Sequence, residues 1–157
     1  MPKRSAGVLL FRKATRDVEV LLVHPGGPFW RNKDDGSWSI PKGEHEPDEA
    51  ALAAARRELA EETGLRPEGD FIALGTCKSK SGKLLQAWAI EADCDPAAIV
   101  SNTFAIEWPK GSGRKREFPE VDCAAWFDLA TARRKINSAQ TPFLDALAAR
   151  LRHKSLG

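Results

Sequence analysis

The chain has 157 residues, and its 42% hydrophobic and 29% charged residues are the proportions of a globular protein that can form a hydrophobic core. Its formal net charge of +2 is too small to indicate a nucleic-acid-binding protein. No apolar run approaches the roughly 20 residues that cross a bilayer, and the first residues do not form a signal peptide. We therefore expect one cytoplasmic domain, residues 1–157.

The first elements are predicted to be strands. Residues 6–11 and 18–23 are short apolar runs around a polar segment, which predicts a hairpin. Residues 25–36 contain Gly-Gly-Pro and Asp-Asp-Gly and are predicted to be a loop. Residues 38–40 are predicted to form one more short strand before Pro41.

A helix is predicted next, capped by Asp48 or a neighbouring residue and ending near Thr63. Its alanine-rich sequence favours a helix. Gly64 is placed to be the C-terminal cap, and the expected apolar stripe consists of Leu52, Ala55 and Leu59.

The second half is predicted to contain four strands followed by two helices. The strands are residues 71–77, 84–92, 103–108 and 123–127, with a basic loop between the last two. A short helix at 129–136 precedes a last helix that opens at Thr141, with Pro142 at its first position. The apolar face of that helix consists of Phe143, Leu144, Leu147 and Leu151. This order predicts the α+β class, an α/β/α sandwich with a mixed β-sheet between helices.

The cysteines and histidines show no ligand pattern in the sequence. Cys77, Cys94 and Cys123 are far apart and odd in number, so we expect reduced, buried thiols and neither a disulfide framework nor a zinc site. His24 and His45 have no partner at ligand spacing and are expected to be incidental.

Three carboxylates on the predicted helix share one face. Glu58, Glu61 and Glu62 are spaced at i, i+3 and i+4, and like charges at this spacing repel each other. A divalent cation on that face would account for them, because hard cations such as Mg²⁺ take oxygen ligands from carboxylates and substrate phosphates.

The same glutamates belong to a longer pattern over residues 43–65. It has the form G-x5-E-x7-R-E-U-x-E-E-x-G-U, where U is aliphatic, and its nine fixed positions are filled by Gly43, Glu49, Arg57, Glu58, Leu59, Glu61, Glu62, Gly64 and Leu65. This pattern is the Nudix box, and the chain resembles the Nudix hydrolase family. The resemblance implies the Nudix fold and a Mg²⁺- or Mn²⁺-dependent attack of water on phosphorus. The bond broken would be a phosphoanhydride in a nucleoside diphosphate that is linked to another group.

The resemblance also implies roles for individual residues. Glu58, Glu61, Glu62 and the carbonyl of Gly43 would hold the metal, and Arg57 would orient a glutamate of the box. Relatives often use an acidic residue six positions before a Trp, as a metal ligand or general base. Counting back from Trp126 gives Glu120, with Glu117 and Asp122 as competitors.

Two residues outside the box are predicted to bind substrate. Lys42 precedes the box and offers a point charge for phosphates. Trp30, in the Gly/Pro-rich loop, offers a ring on which a base could stack. The basic run at residues 110–116 could steer a polyphosphate into the site.

The substrate is predicted less narrowly than the reaction. The chain has no Tyr, which dinucleoside polyphosphate hydrolases tend to carry after the box, and it lacks the later Pro of ADP-sugar hydrolases. The Pro41-Lys42-Gly43 sequence and the basic run favour a dinucleoside polyphosphate or a (d)NTP, including an oxidised one. The alternatives are a nucleotide-sensing binding domain without turnover and an RNA 5′-end pyrophosphohydrolase. We expect a small-molecule nucleotide as partner, with no membrane or nucleic acid; the oligomeric state is left open.

Overall fold

A mixed six-stranded sheet lies between helices. The structure, a computed structural model, describes residues 3–15 and 17–156, with the side chains of residues 153–156 left out. The strands of this sheet are β1 (Arg4–Lys13), β2 (Val18–Pro25), β3 (Lys42–Glu44), β4 (Ile72–Lys78), β5 (Leu84–Glu91) and β8 (Val121–Asp128). The helices are α1 (Ala51–Thr63), α2 (Leu129–Lys135) and α3 (Thr141–Leu156). A separate two-stranded hairpin consists of β6 (Thr103–Glu107) and β7 (Lys115–Pro119).

The sheet has the order β4-β5-β1-β2-β8, and β3 also pairs with β1. The β1–β5 pair is parallel and the other pairs are antiparallel. The prediction of an α+β fold with a mixed sheet is therefore confirmed. None of the described helices is both long and apolar enough to span a membrane.

The central strand β1 is buried on both faces, which explains its continuous apolar sequence. One face packs against α1 and forms a core of Ala6, Val8, Leu10, Leu21, Ala54, Ala55, Leu59 and Ile90. The other face packs against the C-terminal helices, where Leu9, Phe11, Phe143, Leu144 and Leu147 belong to a second core. The predicted apolar face of the last helix is thus correct. Of the face predicted for the first helix, Ala55 and Leu59 lie in the core, whereas Leu52 is only partly buried and Ala54 is buried instead.

β1 and β2 diverge along their length, and this divergence creates room for the start of the box. β1 pairs with β2 over residues 11–13. At its other end β1 pairs instead with β3, with Ala6 opposite Gly43. The segment before β3 is held on both sides, because Ser39 bridges Val23 and the Val8 N–H donates to the Pro41 carbonyl at 3.1 Å.

Two local predictions were wrong. Residues 38–40 do not form a strand, because Trp38 and Ser39 bridge different partners and neither pairing continues; the strand is Lys42–Glu44, after Pro41. Asp48 does not cap the helix. Its N-cap is Ala50, without a side-chain hydrogen bond, because residues 46–49 form a separate turn in which the Glu49 N–H donates to the Glu46 carbonyl at 3.1 Å.

The region of residues 103–123 also differs from the prediction. The strand predicted at 103–108 ends at Glu107 and lies outside the main sheet, and the end of the predicted basic loop forms β7.

The cysteines are free, as expected, but Cys123 is exposed and Cys77 and Cys94 are only partly buried. The predicted first hairpin is present, and its residue 16 lies outside the described residues.

Gly64 ends α1 with a φ of 79°, and its N–H donates to the Ala60 carbonyl. A side chain in this left-handed conformation is strained by about 1–2 kcal/mol, whereas Asn tolerates it. We predict that Gly64→Ala lowers the free energy of unfolding in urea by about 1 kcal/mol, and that Gly64→Asn lowers it less. An Asn variant less stable than the Ala variant would contradict this explanation.

Candidate active site

The approach of α1 to β3 brings Glu58 against the backbone of Gly43. A Cβ atom at position 43 would lie 2.0 to 2.5 Å from the carboxyl atoms of Glu58, so the contact requires glycine there. The Glu58 side chain is mostly buried, and burial raises its pKa, with Arg57 opposing that effect.

Arg57 contacts three carboxylates of the box. Its Nε and Nη2 donate to Glu49 at 2.9 and 2.8 Å, a bidentate pair. Its Nη1 donates to Glu58 at 2.8 Å and to both oxygens of Glu61 at 3.2 Å. The hydrogen bonds that Arg57 donates to Glu49 lower the pKa of that carboxyl. The hydrogen bonds to Glu49, Glu58 and Glu61 together raise the pKa of the Arg57 guanidinium. One guanidinium thus offsets the repulsion within the box.

Glu62 points away from Arg57 into a different environment. Burial raises the pKa of Glu62 to about 8. The backbone N–H of Lys42 lies 3.4 Å from its carboxyl oxygen, and burial lowers the pKa of the Lys42 ammonium. The negative charge of Glu120 further raises the pKa values of both Glu62 and Glu58. Glu120 therefore lies close enough to α1 to act electrostatically on both carboxyls.

Backbone hydrogen bonds hold Glu120 in this position. The Asn102 N–H donates to the Glu61 carbonyl at 3.0 Å, and the Glu120 N–H donates to the Asn102 carbonyl at 2.8 Å. The Gly26 N–H then donates to the Glu120 carbonyl at 2.9 Å. This backbone relay, defined by Glu61, Asn102, Glu120 and Gly26, links the end of α1 to the loop that carries Trp30.

Two adjoining cavities share Trp30, Lys42, Asn137 and Gln140. The first, of about 190 Å³, contains Glu62 and Glu120. The second, of about 460 Å³, is lined additionally by Ser5, Cys77, Ser79, Ser81, Lys83, Leu85 and Ala139. Among the described residues, the one buried side-chain nitrogen or oxygen that lacks a hydrogen-bond partner is Ser5 Oγ. Its hydroxyl is therefore available to a ligand in the second cavity.

The structure brings together some of the predicted site residues and separates others. Lys42, Glu62, Glu120 and Trp30 line the first cavity; Trp30 is 39% exposed, and the Lys33 ammonium lies 5.2 Å from its ring centroid. Arg57 and Glu49 instead line a cavity of about 480 Å³ beside the box.

The competitors of Glu120 lie elsewhere. Glu117 is exposed on β7, and the Asp122 carboxylate contacts His24 at 2.9 Å. Ser5, Lys83 and Gln140 were not predicted, because they come from three distant segments without a shared motif.

The donor set of this site fits a divalent cation of the Mg²⁺ type. Its side-chain donors are carboxylate oxygens, and Glu62 is a partly buried acid with a raised pKa, so a cation would compensate the cost of its ionisation. Within the described part of the chain, no three box carboxylates have oxygens within 4.8 Å of one another. Arg57 holds Glu58 and Glu61, so these side chains must turn for all three to share one ion.

Comparisons with known proteins identify a family and several relatives. A family model described as NUDIX domain matches residues 1–147. The chain is 30% identical over 132 residues to an octanoyltransferase of Myxococcus xanthus, covering 83% of this chain and 32% of that protein. It is 42% identical over 62 residues to an RNA pyrophosphohydrolase of Hahella chejuensis (strain KCTC 2396), covering 38% of each. The matched segments thus cover about a third of the length of each of these curated relatives.

The fold is also similar to that of solved structures. A crystal structure of a C. elegans Ap4A hydrolase binary complex matches with a TM-score of 0.68 at 22% sequence identity, over 95% of this chain and 98% of that one. At this identity the likeness concerns the fold.

The raised pKa of Glu62 predicts a pH dependence of stability in the metal-free protein. The folded state binds the Glu62 proton more tightly than the unfolded state does, so this stabilisation is complete below pH 4.5 and is lost as the pH rises to about 8. We expect Glu62→Gln to lack this loss, and hence to gain stability relative to the wild type between pH 5 and 8. Urea unfolding with a chelator present measures the difference.

The matched control is Glu117→Gln, which removes an exposed carboxylate on β7 and should follow the pH profile of the wild type. Parallel profiles for the wild type and Glu62→Gln would contradict the prediction.

Proposed function

We propose that this chain, which belongs to the NUDIX domain family, is a metal-dependent hydrolase that cleaves a phosphoanhydride bond in a nucleotide substrate. One observation carries the proposal. Glu62, a partly buried acid near the end of the box with a raised pKa, shares a small cavity with Glu120 from a distant strand boundary and with Lys42. An acid with a shifted pKa that lies in a cleft beside other charged groups is typical of an active site.

Glu58, Glu61, Glu62, Glu120 and the carbonyl of Gly43 would hold Mg²⁺ or Mn²⁺. Such an ion, when bound, polarises the phosphoryl group and favours ionisation of the attacking water. Arg57 holds the box carboxylates in position through its contacts with Glu49, Glu58 and Glu61. Glu120, exposed at the cavity, can accept the proton of the water that attacks phosphorus.

Lys42 and the second cavity support a polyphosphate substrate. Lys42 lines both cavities, so its ammonium is placed to neutralise a phosphate chain that passes from one to the other. The second cavity has the volume of a small-molecule site, with the Ser5 hydroxyl to bind a polar group and Trp30 at its border to stack on a base. We infer a nucleoside polyphosphate, either a dinucleoside polyphosphate or a (d)NTP. The C. elegans protein is named an Ap4A hydrolase, which supports this class, whereas the Hahella protein is named an RNA pyrophosphohydrolase, which favours the RNA-end alternative.

A screen with Mg²⁺ against (d)NTPs, dinucleoside polyphosphates, ADP-sugars and 5′-triphosphorylated RNA tests the proposal. We predict turnover of a nucleoside polyphosphate and a loss of kcat of at least about 100-fold in Glu61→Gln and Glu62→Gln, since a catalytic metal contributes several kcal/mol. Circular dichroism would check that both variants fold. Tight binding of a nucleotide without turnover would identify a sensor instead, and turnover of RNA alone would identify an RNA-end enzyme.

Glu120 and Glu117 form a matched pair of exposed acids three residues apart. If Glu120 is the proton acceptor or a metal ligand, Glu120→Gln should lower kcat by about 100-fold, whereas Glu117→Gln should leave it within about twofold. Steady-state kinetics with saturating Mg²⁺ measures both. The reverse order of effects would assign the role to Glu117.

A further inference from the structure

A second cluster of potential metal ligands lies on the opposite edge of the main sheet from β4. His24 on β2 and Asp122 and Cys123 on β8 each offer one ligand atom, and the three atoms lie within 4.8 Å of one another. Among the described residues, no other group of three histidine, cysteine or acidic side chains has its ligand atoms within that distance. It contains no residue of the box.

An irregularity in the sheet brings the three side chains together. His24 is opposite Cys123, while Pro25 is opposite Val121, so the register shifts and Asp122 is the extra residue on β8. In a regular strand, neighbouring residues such as Asp122 and Cys123 point to opposite faces. A bulge places two residues opposite one and redirects a side chain, so both can approach His24.

The hydrogen-bond partners of His24 leave one ring nitrogen that can bind a metal ion. Its Nε2 lies 2.6 Å from the Lys33 carbonyl, which can only accept, so Nε2 carries a hydrogen. Its Nδ1 lies 2.9 Å from an Asp122 carboxylate oxygen. Nδ1 is therefore placed to bind a metal ion together with that carboxylate. The ring is only 5% exposed.

The donor set matches zinc in type, and one of its distances is close to that of a zinc site. Zinc takes imidazole nitrogen, thiolate sulfur and carboxylate oxygen in tetrahedral sites. A nitrogen and an oxygen ligand around zinc are about 3.3 Å apart. His24 Nδ1 and the Asp122 carboxylate oxygen are 2.9 Å apart, so they need to separate by only a few tenths of an ångström. Metal-bound histidines usually donate their other N–H to a carbonyl or carboxylate, as His24 does to Lys33.

We propose that His24 Nδ1, the Asp122 carboxylate and Cys123 Sγ form a Zn²⁺ site with three protein ligands and an open fourth position. The inference does not depend on the proposed function. Partial burial and the Asp122 carboxylate raise the pKa of the Cys123 thiol to about 11. Binding of Zn²⁺ near neutral pH therefore releases the thiol proton, which gives a thiolate beside the imidazole and the carboxylate.

Such a site would fix two parts of the cleft. Asp122 is two residues after Glu120, and His24 holds the carbonyl of Lys33 in the loop that carries Trp30. Zinc at this position would strengthen the attachment of that loop to β8.

Titration of the metal-free full chain with Co²⁺ tests the site, because a cysteine ligand produces a thiolate-to-Co²⁺ charge-transfer band that oxygen ligands do not. We expect the band in the wild type at one equivalent of Co²⁺ and its loss when Zn²⁺ is added. Calorimetry with Zn²⁺ in buffers of different ionisation enthalpy should show release of at least about one proton, that of the Cys123 thiol. Cys123→Ser should abolish the band, and both Cys123→Ser and Asp122→Asn should weaken Zn²⁺ binding by at least about 100-fold.

Two controls make the assignment specific. Cys94→Ser alters a thiol outside the cluster and Glu62→Gln alters the box, so both should keep the thiolate-to-Co²⁺ band of the wild type. A band that persists in Cys123→Ser, or a wild type that gives no thiolate band, would overturn the site.

Discussion

The charge balance around Arg57 is the interaction on which the geometry of the box depends. Glu49, Glu58 and Glu61 would repel one another, and a single guanidinium contacts all three. The contacts of Arg57 hold the loop before α1 against the helix. They also keep the Glu58 carboxylate beside Gly43, where there is no room for a Cβ. Glu62 is left without such a partner, and its ionisation therefore depends on what occupies the neighbouring cavity.

The sheet provides the space that the box occupies beside β1. Since β1 is packed by helices on both faces, it cannot move to accommodate the box. The space arises instead where β1 exchanges β2 for β3 as its neighbour. Lys42 lies at this exchange point, which explains how one residue can line both cavities and approach Glu62.

Much of the fold and part of the site could be predicted because their signals are local. The box has its fixed residues within 23 consecutive positions, and the two core helices have periodic apolar faces. A three-residue strand such as Lys42–Glu44 has no measurable period. The approach of Glu62 to Glu120, and of Ser5 to Lys83, depends on contacts between distant segments. The contact of His24 with Asp122 depends on a shift in strand register, which no spacing along the chain reveals.

The backbone relay from Glu61 through Asn102 and Glu120 to Gly26 has an evolutionary consequence. Each hydrogen bond of the relay joins a backbone amide to a backbone carbonyl. Natural selection for the relay therefore constrains the backbone conformation and hardly constrains the side chain of Asn102. Homologous sequences could drift at that position without losing the alignment of the helix with the loop. Proline is the exception, because it removes the amide hydrogen. A lineage could thus change the composition of the intervening hairpin while Glu120 stays in register with the end of α1.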